Sequence, residues 1–225
     1  VNALTPRYMY RFDPSASIFG EFHFENHHFQ SPGVNYDVYN PRLGIQYNFS
    51  PTLVGRATGG YFWQITDQGG NSQGPNFNIG LTQGTQQTLY SLSVYGGYTE
   101  DYITAQNLGF MKTYGGSGTI YHQLTQRLGI GLWGSMTRYI HTTNNEKDWV
   151  WNVQGGPYYL VFPWLRVSLQ ADYRGENSNI SVHDYTEFRA MFTMTVFRPG
   201  LIGQPFLMGG PAMMGRPGMM GRPGY

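Results

Sequence analysis

With 225 residues, a net charge of +1 and no cysteine, the chain has no disulfide framework, no thiolate chemistry and no basic block for nucleic acid. Charged residues make up only 12%, against roughly 25% in typical soluble domains, while aromatics reach 16% and glycines number 31. Mean hydropathy is -0.39 and there is no run of ~18 apolar residues, which excludes a helical membrane protein but not a barrel, whose apolar residues are hidden in alternation.

Residues 1–16, VNALTPRYMYRFDPSA, carry Pro6 and Pro14 and read as an N-terminal periplasmic arm. No signal peptide is visible at Val1, so an exported protein would be expected here in its mature form, its leader already removed. Strands are expected wherever apolar and polar residues alternate, because successive side chains on a strand point to opposite faces. The first runs from Ser17 to Phe29, where Ile18, Gly20, Phe22 and Phe24 oppose Phe19, Glu21, His23 and Glu25. After Pro32 and Gly33 the second, about Asn35 to Phe49, sets Leu43, Ile45, Tyr47 and Phe49 against Arg42, Gly44, Gln46 and Asn48. A turn at Ser50, Pro51 and Thr52 leads to the third, Leu53 to Ile65, with Ala57, Tyr61 and Trp63 on one side and Arg56, Thr58, Phe62 and Gln64 on the other. TDQGGNSQGP, residues 66–75, is a long polar loop by composition.

A fourth strand, near Asn76 to Gln83, returns through GTQQ to a fifth, Thr88 to Thr99. There Tyr90, Leu92, Val94, Gly96 and Tyr98 oppose Ser91, Ser93, Tyr95 and Gly97. EDYITAQNLG forms the next loop, and the strand near Phe110 to Leu124 is diluted by Lys112 and His122. From Leu128, the residues Ile130, Leu132, Gly134 and Met136 alternate with Gly129, Gly131, Trp133, Ser135 and Thr137. HTTNNEKD, residues 141–148, reads as a polar loop, Trp149 to Val161 as a strand and FPW as a turn. Trp164 to Arg174 alternates without exception: Leu165, Val167, Leu169, Ala171 and Tyr173 against Arg166, Ser168, Gln170, Asp172 and Arg174. GENSNISVHD leads to the last strand, Tyr185 to Phe197, with Phe188, Ala190, Phe192, Met194 and Val196 opposite Glu187, Arg189, Thr193 and Thr195.

Ten strands are joined alternately by short turns and by longer loops rich in glycine and asparagine, as in membrane barrels with short periplasmic turns. Aromatics form two girdles at the strand ends, with Phe49, Tyr90, Tyr159, Phe162, Trp164 and Phe197 below and Trp63, Tyr98, Trp149, Tyr173 and Tyr185 above. A soluble barrel with its apolar face inward gives no reason for the loop asymmetry. The expectation is an all-β, closed antiparallel transmembrane barrel of about ten strands over residues 17–197, in contact with outer-membrane lipid. Its lumen would be lined by Glu21, Glu25, Arg42, Arg56, Tyr95, Trp133, Arg166, Asp172, Arg174, Glu187 and Arg189. Opposite charges should pair across so narrow a lumen, because unpaired ones away from bulk water are costly. Ten strands lie near the filled end of barrel sizes, so the lumen should be constricted or plugged.

YSLSVYGGYTEDYITAQNLGFMKTYGGSGTIYHQLTQRLGIGLWGSMTRY, with its rhythm of strand, L-T-x-R-L turn, strand, and LRVSLQADYRGENSNISVHDYTEFRAMFTMTVF carry a family likeness. The chain from about Tyr90 to Phe197 thereby resembles outer-membrane β-barrel porins of Gram-negative bacteria, including those associated with exopolysaccharide export. The resemblance implies an outer-membrane barrel and transfers no catalytic residue. The chain departs from the pattern in being short and in continuing beyond its last strand.

Residues 198–225 contain two copies of MMGRPG, Met213 to Gly218 and Met219 to Gly224. Glycine and proline at this density make neither a helix nor a ladder strand, which fits a flexible periplasmic tail. Adaptable methionines beside arginine also fit a strip that binds a protein partner or a neighbouring copy, through Met213, Met214, Arg216, Met219, Met220, Arg222 and Tyr225.

Enzymatic signals are weak. Gly129 to Gly134 matches G-x-G-x-x-G but lies inside a strand with no helix after it, so it reads as packing. If the first and last strands are neighbours, His27 and His28 approach Ser181, His183, Asp184 and Glu187, the vocabulary of acyl hydrolysis or of a metal site, yet no nucleophile motif accompanies them. No catalytic residue, metal or cofactor is expected. The leading reading is a structural or anchoring subunit of an envelope assembly. Alternatives are a narrow channel or export porin, for example for a saccharide, and a lipid- or peptide-modifying enzyme at the rim.

Overall fold

The computed structural model describes residues 2–28, 35–67, 69–100, 110–142, 146–180 and 183–197. They form twelve strands: β1 (Asn2–Leu4), β2 (Arg7–Asp13), β3 (Ala16–His27), β4 (Tyr36–Ser50), β5 (Leu53–Thr66), β6 (Ser72–Gly84), β7 (Thr88–Glu100), β8 (Phe110–Gln123), β9 (Leu128–His141), β10 (Lys147–Phe162), β11 (Leu165–Ser178) and β12 (Tyr185–Val196). From β3 onward each strand pairs antiparallel with the next, a single meander. Strands of 12 to 16 residues exceed the ~9–11 needed to cross a bilayer at a tilt, so their ends project beyond it.

The N-terminal arm expected over residues 1–16 is instead part of the sheet. Asn2–Leu4 lies opposite Phe24–Asn26 and Arg7–Asp13 opposite Ala16–Glu21, so β1 and β2 share one row beside β3. Proline lacks an N–H and breaks the row at Pro6, but the Pro6 carbonyl still accepts a hydrogen bond from Phe22 N–H at 3.1 Å and keeps the two pieces in line. Tyr8, Tyr10 and Phe12 alternate with Arg7, Met9 and Arg11 in the same code as every later strand. Twelve strands therefore fill eleven positions, in place of the ten expected.

Eleven positions of alternating direction leave the two edges, β1/β2 and β12, running the same way. They cannot meet as an antiparallel ladder, and no pairing joins them among the described residues. The expectation of a closed ten-strand barrel is corrected accordingly to an open sheet. Antiparallel closure needs one further strand running from the short-turn end to the long-loop end.

Strand register carries one continuous row from Glu21 through Arg42 and Gly60 on β3 to β5, and another from Tyr95 and Ser93 through Ser135 and Asn152 to Arg174 and Glu187. The face holding these rows is concave. Side chains reach across an intervening strand there: Tyr95 on β7 hydrogen-bonds Thr137 on β9 at 2.8 Å, and Arg56 on β5 lies 4.8 Å from the centre of the Phe19 ring on β3. Gly44 makes the second reach available, because any Cβ there would sit 2.2 Å from the Phe19 ring. The convex face presents Ile18, Leu43, Ile45, Ile79, Leu92, Leu132, Leu169 and Phe192, all exposed. A sheet with its apolar band outward and its charges inward is stable only where the outside is not water. Exposed aromatics border the band, with Tyr47 against Phe49 and Phe162 stacked on Trp164 below, and Tyr61 against Trp63 above.

Candidate functional site: the inner face and its outer mouth

Glu21, Glu25, Arg42, Arg56, Tyr95, Trp133, Arg166, Asp172, Arg174, Glu187 and Arg189 all fall on the concave rows. Charges expected to pair across the lumen pair sideways instead. Arg42 bonds Glu21 on the adjacent strand, and Glu187 accepts from Arg174 Nε at 2.8 Å and from Arg189 as well. Neighbouring strands are ~4.8 Å apart, well within the reach of one Arg and one Glu. Glu25 faces His23 at 2.8 Å and His27 at 3.4 Å. Three arginines outside these pairs lie by rings: Arg56 and Arg7 on Phe19, and Arg166 near Tyr158 and Phe197. Between β7 and β9 the same face narrows to small hydroxyl groups, with Ser93 and Ser117 2.8 Å apart, Thr119 opposite Trp133 and Ser117 opposite Ser135.

The long-loop end holds an apolar cluster of Tyr36, Val38, Phe62 and Phe110, joined by Tyr98. Phe62 and Val38 are fully buried. Their arrangement has a topological cause. Register puts Tyr36, Val38 and Phe62 on the inner row, but puts Tyr98 opposite Lys112, on the outer row, with Phe110. The rings of Tyr98 and Phe110 nevertheless lie 5.0 and 5.8 Å from Phe62. Rows of opposite face can meet only if the β7–β8 end leaves the wall and passes inside β5 and β6.

Pairing between β6 and β7 stops at Phe77 opposite Gly96, although both strands continue, which is where that departure begins. The bend falls at Gly96 and Gly97 opposite Tyr114 and Thr113; a Cβ on Gly96 would meet the Phe77 ring at 2.5 Å and Tyr114 at 2.7 Å. Ser72–Pro75, expected in a loop, consequently extends β6 as a pair with β5 alone, and Pro75 sits where β6 has no β7 partner to lose. Tyr98 is thus inside the mouth and not in the outer girdle. His27 stacks on Tyr36 at 4.4 Å and continues the cluster toward β3.

The rim residues do not assemble as expected. With β1 and β2 on its free side, β3 is not the edge, so His27 and β12 are not neighbours. His183 bonds Glu146, Asp184 accepts from Ser178 N–H at 2.7 Å, His28 is exposed, and Ser181 lies outside the described residues. A separate group forms on the β9–β10 hairpin, where His141 Nε2 is 2.8 Å from Asp148 Oδ2 with Glu146 beside them. The signal for it was present in HTTNNEKD: two hairpin arms bring residues at both ends of a loop to one face. Met213, Met214, Arg216, Met219, Met220, Arg222 and Tyr225 lie outside the described residues.

Architecture and surface together define a membrane-spanning β-sheet, apolar outward and charged inward. Similar solved structures include outer-membrane proteins. A loop-deletion form of OmpT, an outer membrane protein of Vibrio cholerae, matches with a TM-score of 0.47 and 12% identity over 85% of this chain and 62% of that one. The NanC porin matches with a TM-score of 0.42 and 8% identity over 87% of this chain and 99% of that one. OmpT expressed in the outer membrane gives 0.45 and 12% over 86% and 64%. The chain thus spans under two thirds of the OmpT structures, and likeness at this level bears on neither substrate nor mechanism. No protein-family model and no curated protein matches the chain, and nothing supports the exopolysaccharide-export type.

Proposed function

We propose that this chain forms the wall of a Gram-negative outer-membrane barrel that is occluded at its outer mouth and serves as a structural or anchoring subunit. The observation that carries the reading is the aromatic cluster of Tyr36, Val38, Phe62, Tyr98 and Phe110, held in place by the inward-folded β7–β8 end. Rings packed at 5.0 to 6.2 Å bury Phe62 and Val38 completely. In this reading the residues after Phe197 leave from the short-turn, periplasmic end, and their methionine and arginine repeat binds a partner or a second copy.

The test is single-channel recording in planar bilayers. Wild type should show no sustained steps, and a Phe62→Ala/Tyr98→Ala pair should introduce them. Stable steps in wild type would sink the reading and favour a narrow channel. That second reading has its own support in the small hydroxyl-lined stretch of β7–β9 beside Trp133, which suits a hydrated solute such as a saccharide. Deleting residues 199–225 should release the partner without changing conductance.

A further inference from the structure

Three ligand-bearing side chains converge on the concave face where the β9–β10 hairpin ends. His141 closes β9, Asp148 is the second residue of β10, and Glu146 lies just before that strand. Tyr139 opposite Asp148, together with a 2.9 Å hydrogen bond from His141 N–H to Glu146 O, fixes all three on one side of the hairpin. One ligand atom from each lies within 4.8 Å of the other two. Ligands held ~2.0–2.2 Å from a tetrahedral metal are ~3.4 Å apart, so the spacing closes by side-chain rotation.

The environment asks for a cation. Glu146 and Asp148 are 3% and 2% exposed, and Asp148 Oδ1 is buried with no hydrogen-bond partner among the described residues. Two carboxylates withdrawn from water side by side repel each other and lose hydration, and the contacts of His141 with Asp148 Oδ2 and of His183 with Glu146 leave the second Asp148 oxygen to be satisfied. A divalent ion would neutralise the pair and occupy the orphaned oxygen. His183, from the β11–β12 connection, bonds Glu146 through Nδ1, the outer contact that orients a ligating carboxylate.

We propose that His141, Glu146 and Asp148 bind one divalent transition-metal ion at the outer mouth, with His183 as a positioning residue. One nitrogen and two carboxylate oxygens suit a zinc-class ion with a fourth position open; calcium takes six to eight oxygens and does not fit this set. Through His183 the ion ties the β9–β10 hairpin to the neighbouring connection, which braces the mouth independently of the aromatic cluster.

The full chain, purified in detergent and stripped with EDTA, is titrated with Zn²⁺ by calorimetry and with Co²⁺ by visible absorption. One ion per chain is expected, with the d–d bands of a four- or five-coordinate cobalt. Asp148→Asn and His141→Gln should each weaken binding at least ~100-fold, and His183→Gln by ~10–100-fold. Heat-modifiable mobility on gels identifies the folded fraction of each variant. Failure of wild type to bind either ion overturns the proposal. So does unchanged affinity in His141→Gln/Asp148→Asn, or calcium competing as well as zinc.

Discussion

Phe62 occupies a position that in an open pore would be wet, yet it is fully buried by rings from β4, β7 and β8. Because the fourth side of its pocket is an inward-folded hairpin and not a wall strand, truncation leaves a cavity that the hairpin can fill only by moving. Phe62→Ala should cost about 3–5 kcal/mol, read as a lowered midpoint of urea unfolding in detergent. A cost under ~1 kcal/mol would mean that the ring is not packed as described. On the opposite face Leu43 is 74% exposed at mid-strand, directed at lipid. Leu43→Arg should cost about 2–4 kcal/mol, because a charge at the bilayer midplane is poorly solvated, whereas Gln46→Glu on the inner face, opposite Arg56, should be near neutral. Equal effects at the two sites, measured by unfolding in lipid vesicles, would contradict the assignment of faces.

The β7–β8 pair is the element that distinguishes this sheet from a plain meander. Adjacent glycines on both strands, Gly96-Gly97 and Gly115-Gly116, let it turn inward where its pairing with β6 ends. Gly96→Val should force the Phe77 and Tyr114 rings apart and cost about 1–3 kcal/mol by overpacking. It should also raise the solvent quenching of tyrosine fluorescence as Tyr98 leaves the cluster. Loss of stability without that change would place the bend elsewhere. Alternation predicted β7 correctly from Thr88 to Tyr95 but placed Tyr98 in the outer girdle. Period two reports which row a residue occupies, and whether that row faces lipid depends on whether the strand stays in the wall.

At the scale of the whole molecule, β2 and β12 run in the same direction and neither completes the other. Every backbone donor at membrane depth needs a partner, which either one more strand between them or direct parallel pairing of the two edges would supply; the antiparallel rule of the rest of the sheet favours the former. Cysteines scanned at Tyr8, Tyr10 and Phe12 against Phe188, Phe192 and Val196 should form no intrachain disulfide in membranes. An intervening strand sets the two at about 9–10 Å, beyond the ~7 Å limit for a bridge. Ready cross-linking would mean direct parallel closure. The sequence by itself determined the class, the ten alternating strands from β3 to β12, and the inward rows that hold Glu21, Arg42, Arg174 and Glu187, because period two and turn chemistry are local. Tyr8, Tyr10 and Phe12 were equally legible, and only the flanking prolines obscured them. Tertiary structure alone decided that His183 meets Glu146 and not His27, that Tyr98 and Phe110 close on Phe62, and that charges pair along the wall. Each of those contacts depends on which strands are neighbours and how far the sheet bends, quantities fixed by long-range pairing.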